Sequence, residues 1–266
     1  MAGDPIADDV SPTMHDPGTQ SPADLDFREK LEDYFATSMG SFTERLENFA
    51  KYVPRQSLGR FLARYEIFKR IVEVQGSIVE CGVLFGGGLM SFAQISAILE
   101  PYNFQRRIIG FDTFTGFPGV AEEDESGMSD RRSRHLRPGG FAAPGAYDDL
   151  LRAVDVFDGN RFLNHFPKVD VIAGDFAETG PAYLEAHPHL VVSCLYLDFD
   201  IFSPTQTSIE TFLPRIPKGG AIVFDELNDE TFPGETVAVL QSLELSDLRV
   251  RRFAFEPRIS YAIMGE

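Results

Sequence analysis

The chain has 266 residues, 43% of them hydrophobic, enough for one sizeable core. Its 41 acidic against 24 basic side chains leave a net charge of −17 at pH 7. That charge repels phosphate backbones and anionic lipid, so it argues against nucleic-acid and membrane partners, and it suits a bound divalent cation. No apolar run approaches the length that spans a bilayer, and residues 1–20 lack the basic and apolar parts of a signal peptide, so a soluble, cytoplasmic protein is expected. The only two cysteines, Cys81 and Cys194, sit in apolar runs, which argues against a disulfide framework or a zinc site.

Residues 1–23 carry Asp, Ser, Pro, Gly and Thr with almost no large apolar side chain and read as a disordered leader. Apolar positions then recur at helical spacing from Asp26 to Ala50 and from Ser57 to Glu73, giving a helical cap over residues 24–75 that can cover a substrate cleft or pair between subunits. After Gly76 the pattern alternates strand and helix. Strands are expected at Ile78 to Cys81, Arg107 to Phe111, Val169 to Ala173, Val191 to Leu197 and Ala221 to Phe224, an order that predicts an α/β fold with a mostly parallel sheet covered on both faces. Leu248 to Phe255 and Ile259 to Met264 flank Glu256-Pro257-Arg258 and predict a closing antiparallel hairpin. Residues 118–144 are rich in Gly, Pro, Ser and charge, and predict a lid loop carrying a dense basic run, Arg131, Arg132, Arg134 and Arg137. The run reads equally as a solvated face or as an anion contact.

Three turns are suited to a nucleotide. Glu80-Cys81-Gly82-Val83-Leu84-Phe85-Gly86-Gly87-Gly88 follows the first strand, and glycine there lets a ligand approach the backbone at a helix N-terminus. The spacing is not the G-x-G-x-x-G of a dinucleotide fold, and Glu80 opposes a pyrophosphate while suiting a ligand with an amine and a sulfonium. Asp112, beside Thr113 at the end of the second strand, lies thirty residues after Gly82, where a carboxylate accepts from ribose hydroxyls. Gly174-Asp175-Phe176 ends the third strand and offers an acceptor beside an aromatic ring for an adenine, although Asp175 reads as well as a helix cap.

Two acidic clusters, Leu197-Asp198-Phe199-Asp200 and Phe224-Asp225-Glu226-Leu227, end the fourth and fifth strands. Each Asp alone reads as a cap for the next helix. Four carboxylates at the mouth of one sheet, however, call for a cation or a proton, and oxygen donors select Mg²⁺ or Ca²⁺.

On these motifs, with Phe111-Asp112-Thr113-Phe114-Thr115-Gly116-Phe117-Pro118, Asp200-Ile201-Phe202 and Leu227-Asn228, the chain from about Gly76 onward resembles the class I S-adenosylmethionine-dependent methyltransferases. More narrowly it resembles the macrocin O-methyltransferase (TylF/MycF-like) family of sugar O-methyltransferases. The resemblance implies a Rossmann-like sheet of seven strands with the last one reversed, Mg²⁺ dependence, and methylation of a deoxysugar hydroxyl. It implies Asp198, Asp225 and Glu226 as metal ligands and Asp200 as general base. Glu80, Cys81 and Gly82 fall at the methionine end of the cofactor, Asp112 and Thr113 at its ribose, and Gly174, Asp175 and Phe176 at its adenine. Family members often carry Tyr where Phe202 stands and a bulkier residue than Gly88. The competing readings are a nicotinamide-dependent oxidoreductase and a non-catalytic nucleotide or metal sensor.

Overall fold

A computed structural model of the protein describes residues 21–125 and 133–266. Of the expected leader, residues 1–20 lie outside the described residues, as do Arg131 and Arg132 of the basic run, whereas Ser21 caps the first helix and Pro22 and Ala23 open it, which corrects that end of the leader.

The first helix, α1 (Pro22–Thr37), starts on a capping box in which the Ser21 hydroxyl accepts from Asp24 N–H and the Asp24 carboxylate accepts from Ser21 N–H. The second, α2 (Phe42–Glu47), repeats that device with Ser41 and Glu44. One continuous helix from Asp26 to Ala50 was the expectation from spacing. Instead the chain leaves the helix at Ser38 and turns through Gly40 at φ +102°, a conformation that costs glycine little. Neither α1 nor α2 buries a residue, and Phe35, Phe42, Leu46 and Phe49 stay exposed. Helix α3 (Arg55–Ile71) differs. It buries Ala63, Arg64, Ile67, Phe68 and Ile71 against the body of the protein, packing on α4 (Gly87–Leu99) and on the strand Ala221–Phe224.

Seven strands form one sheet: β1 (Ser77–Cys81), β2 (Ile108–Asp112), β3 (Val169–Ala173), β4 (Val192–Leu197), β5 (Ala221–Phe224), β6 (Arg251–Arg252) and β7 (Ser260–Ile263). Their order is β3-β2-β1-β4-β5-β7-β6, with β1 to β5 parallel and β7 antiparallel to both neighbours. The expected terminal hairpin forms, but β6 is only two residues long and pairs through Arg251 and Arg252.

Side-chain alternation splits the interior in two. Ile78, Cys194, Tyr196 and Val223 face one cluster with α3 and α4, whereas Val79, Cys81, Leu195, Leu197 and Phe224 face another, which also holds Phe176, Ile209, Phe212 and Val239. The latter four belong to α6 (Phe176–Ala186), α7 (Phe202–Phe212) and α8 (Pro233–Ser242), while α5 (Ala146–Asp158) adds Ala146, Leu150 and Phe157 to the first. With helices on both faces, the strand order reverses between β1 and β4, and ligands bind such sheets beyond the carboxyl ends of the strands at that point. Among the described residues, no helix is long and apolar enough to cross a membrane.

Candidate active site

A cavity of about 750 Å³ opens at that switch point, walled by the turns after β1, β2, β3, β4 and β5 and by one face of α3. Its floor is the glycine turn. Gly82 has φ +94°, and a Cβ there would lie 1.8 Å from the Asp198 carbonyl oxygen, so the turns after β1 and β4 touch without room for a side chain. Asp112 fixes this turn from the next strand: Oδ2 accepts from the N–H groups of Val83 and Leu84, both at 2.8 Å, and Oδ1 from Phe114 N–H at 2.7 Å. Leu84, Phe114, Asp200 and Asn228 all have φ between 48° and 69°, one such non-glycine residue in each of the turns leaving β1, β2, β4 and β5. Strain of this kind persists only where surrounding contacts over-determine the backbone.

Glu80 and Cys81 point to opposite sides of β1. Glu80 is 1% exposed and lines the cavity; its Oε1 accepts from Arg64 Nη2 at 3.1 Å, while its buried Oε2 has no partner. Burial pushes its carboxyl up to about 7, against the pull of the Arg64 guanidinium. The Cys81 side chain instead lies in the apolar cluster on the other face, where burial pushes the thiol well up, and its carbonyl accepts from Asp198 N–H at 2.7 Å. Thr113, Gly174, Asp175 and Phe176 line the cavity wall. The Thr113 hydroxyl donates to Gly116 C=O at 2.7 Å, and Asp175 caps α6 by accepting from Ala177 N–H at 2.9 Å. Phe176 is wedged among Phe111, Phe199 and Phe212.

The four acidic side chains separate into three and one. Asp198, Asp200 and Glu226 each place a carboxylate oxygen within 4.8 Å of the others. Burial, followed by repulsion from Asp225, pushes Asp198 and Glu226 well above the usual carboxylate range and Asp200 up to about 7. Asp225 is held by cations. Arg60 Nη2 donates to both its oxygens at 2.7 Å and the Tyr196 hydroxyl donates to Oδ1 at 2.5 Å. Against its burial, Arg60, Arg64 and that hydroxyl hold Asp225 below its ordinary value. Arg258 donates to Glu226 at 2.8 Å and to Asp229 at 3.1 Å.

Sequence reasoning did not find Arg60, Arg64, Tyr196 or Arg258. The first two carried a signal, because they stand four residues apart on α3 and Arg64 continues into the buried stripe Ile67, Ile71. An arginine inside a buried stripe requires a buried acid, here Glu80. Glu235 lies outside the cavity wall. It is wholly buried, and its Oε1 accepts from Glu226 N–H at 2.8 Å, so it supports the second acidic turn from behind.

The described parts of the lid segment close one side of the cavity through Phe117, Ser133, Gly140 and Phe141. They fold onto a third apolar cluster that unites Leu136 with Ile201 and Phe232. His135 is buried and stacks on Phe141 at 4.2 Å, whereas Arg134 and Arg137 are exposed and do not line the cavity.

The sequence model of the macrocin-O-methyltransferase (TylF) family matches residues 64–239. The crystal structure of CalS11, a calicheamicin methyltransferase, is 31% identical with a TM-score of 0.86 over the full length of both chains. An apo structure of CalS11, described as a TDP-rhamnose 3′-O-methyltransferase in calicheamicin biosynthesis, aligns with 97% of this chain and 100% of its own at 28% identity and a TM-score of 0.79. The 8-demethyl-8-(2,3-dimethoxy-α-L-rhamnosyl)-tetracenomycin-C 4′-O-methyltransferase of Streptomyces olivaceus is 28% identical over 58% of this chain, and the match spans about half, 53%, of that relative's length. The chain therefore belongs to the macrocin-O-methyltransferase (TylF) family and has the class I, Rossmann-like methyltransferase fold.

Proposed function

We propose that the protein transfers the methyl group of S-adenosylmethionine to a hydroxyl of a rhamnose-like deoxysugar, with a divalent cation at the acidic end of the site. The observation that carries this reading is that Glu80 and Gly82 of the first turn and the Asp198, Asp200, Glu226 cluster line one cavity side by side. Both CalS11 and the tetracenomycin relative are named for methylation of rhamnosyl groups, one nucleotide-linked and one on a glycoside, so either carrier suits the acceptor. A nicotinamide enzyme is disfavoured by the glycine spacing, which leaves no cradle for a pyrophosphate.

The residues present fit the methyl donor. The orphaned Oε2 of Glu80 is an acceptor for an ammonium N–H. Asp112 holds the turn that the donor's methionine end would lie against and lines the wall for a ribose; Asp175 and Phe176 would take the adenine amine and face.

They also fit a hard cation, since the donor set is all carboxylate oxygen and burial, with repulsion from Asp225, raises all three carboxyls above their ordinary range. Asp198, Asp200 and Glu226 would hold it, and Asp225 can join them if Arg60 withdraws. Mg²⁺ bound there would supply a positive centre beside a hydroxyl that is losing its proton. Asp200 needs only one oxygen for the cluster, leaving the other free to accept that proton. The remaining effect is alignment of the acceptor oxygen with methyl and sulfur.

The acidic net charge supports a small-molecule partner rather than nucleic acid, and the exposed apolar side chains of α1 and α2 support association between copies. The test is incubation with S-adenosylmethionine and Mg²⁺ against nucleotide-linked deoxyhexoses and rhamnosylated aglycones, read by mass spectrometry. A methyl gain abolished by chelator is expected; methyl transfer that persists in excess chelator removes the cation, and no methyl gain on any sugar removes the acceptor class.

A further inference from the structure

The acidic run Glu122-Glu123-Asp124-Glu125 forms a single 3₁₀ turn in the lid segment, and one member behaves unlike the rest. Asp124 is 1% exposed, while Glu122 and Glu125 face solvent. Its Oδ1 accepts from Phe202 N–H, the first residue of α7, at 2.7 Å, and its Oδ2 accepts from Ala121 N–H at 2.8 Å. The first turn of α8 closes on the same atom. A Cβ on Gly234 would lie 1.8 Å from Asp124 Oδ1 and 2.6 Å from Phe202 N. The N-terminal ends of two helices, both electropositive, thus meet at one buried carboxylate supplied by a third segment.

Each helix follows one acidic turn. Phe202 stands two residues after Asp200, whose backbone is held at φ 62°. Gly234 precedes Glu235, which holds Glu226 N–H. Asp124 is therefore connected to Asp200 through α7 and to Glu226 through α8, each time by a short stretch of chain. The same segment carries Phe117, Val120, Leu136 and Phe141 onto Ile201 and Phe232, the neighbours of those turns.

We propose that Asp124 is a positioning residue for methyl transfer: it sets the spacing of the α7 and α8 N-termini so that Asp198, Asp200 and Glu226 converge, and it links the segment covering the acceptor to that spacing. The inference rests on the function proposed above, and it goes further by assigning a role to a side chain that does not line the cavity.

The experiment compares wild type with Asp124→Asn, which keeps the volume and one acceptor oxygen but opposes an amide N–H₂ to a backbone donor. Gly234→Ala reaches the same contact from α8. The readouts are Mg²⁺ affinity and S-adenosylmethionine affinity by calorimetry, thermal midpoint, and separate kcat and KM for the acceptor. Expected for both variants is a loss of about 10- to 100-fold in Mg²⁺ affinity and in kcat, the range typical of groups that orient metal ligands, with cofactor affinity close to wild type and a lower thermal midpoint from the strained buried contact. Wild-type Mg²⁺ affinity and kcat in both variants would overturn the proposal, as would a fall in cofactor affinity parallel to that in Mg²⁺ affinity, which marks a merely structural contact. If wild type itself neither binds Mg²⁺ nor methylates a sugar, the functional reading fails instead, and that result is distinguishable from either outcome.

Discussion

Arg60 Nη2 lies 2.7 Å from both carboxylate oxygens of Asp225 and 3.6 Å from Asp198 Oδ2, so a residue of α3 balances charge at the ends of both β4 and β5. Helix α3 is thereby part of the site. Asp225 is 1% exposed and, once Arg60 is removed, keeps the Tyr196 hydroxyl as its hydrogen bond and only the more distant charge of Arg64.

Arg60→Gln is expected to destabilise the cation-free protein. Stranding one partner of a buried pair costs about 3–5 kcal/mol, and the partial exposure of the Arg60 side chain, 22%, places this case at or below the lower end of that range. Asp225 then becomes available to a cation, so Mg²⁺ should raise the thermal midpoint more in the variant than in wild type. Melting curves with Mg²⁺ and with chelator measure this directly. Equal Mg²⁺ shifts in the two proteins would keep Asp225 outside the cation's reach.

Cation binding should depend on pH, with a definite sign. Burial and the Asp225 charge raise Asp200 to about 7 and push Asp198 and Glu226 well above their ordinary range. A carboxyl whose folded value is raised contributes stability that is fully present below its unfolded pKa, near 4, and that is lost as pH rises through the folded value. The cation-free protein should therefore lose stability from about pH 4 toward and beyond neutrality, and Mg²⁺ must displace the retained protons. Its affinity should rise with pH across the region of pH 7, by up to about tenfold per unit for each proton displaced. Calorimetric titrations at pH 6, 7 and 8, in buffers of different ionisation enthalpy, report affinity and proton release together. An affinity independent of pH would mean that the cluster is already ionised.

Asp200→Asn removes both the acceptor for the substrate proton and one oxygen of the cluster. The single-turnover methyl-transfer rate should fall by roughly 10²- to 10⁴-fold, as for a lost general base, and Mg²⁺ affinity should fall with it. A slower rate at unchanged Mg²⁺ affinity would make Asp200 a base alone. A normal rate at saturating Mg²⁺ would make it a ligand alone.

The sheet was legible because its strands are short apolar runs, each ending at a polar turn, and the reversed β7 was legible from the Glu256-Pro257-Arg258 break. The cavity residues on strand ends were legible for the same reason: Glu80, Asp112 and the two acidic clusters interrupt those runs at fixed places. Pairing across the sheet was not. Nothing local to Asp225 announces that Arg60, 165 positions earlier, will hold it, and nothing in Glu122-Glu123-Asp124-Glu125 distinguishes the one buried carboxylate from its exposed neighbours. Cys81 illustrates the limit of a motif read as a string. It stands between two cavity residues, yet the period of two along β1 sends its side chain into the opposite core.

Gly88 permits the sharpest separation of the two halves of the site. A Cβ at Gly88 would lie 1.9 Å from Glu80 Oε1 and 2.5 Å from Arg64 Nη2, the buried ends of two side chains that must shift toward the cavity to admit it. A bulkier residue at this position is thus incompatible with Glu80 where it stands. Gly88→Ala should displace the Glu80 carboxylate, weakening S-adenosylmethionine about 10- to 100-fold, the equivalent of one charged hydrogen bond of about 1.5–3 kcal/mol. Mg²⁺ affinity should change less, because the change reaches the acidic cluster only through Arg64, 3.9 Å from Asp198 Oδ2. Gly119→Ala is the control: a Cβ there meets nothing within 4 Å and the residue does not line the cavity, so cofactor binding should be unchanged. If Gly88→Ala binds the cofactor as wild type does, Glu80 is not its anchor, and the unpaired Oε2 must serve the buried Arg64 pair alone.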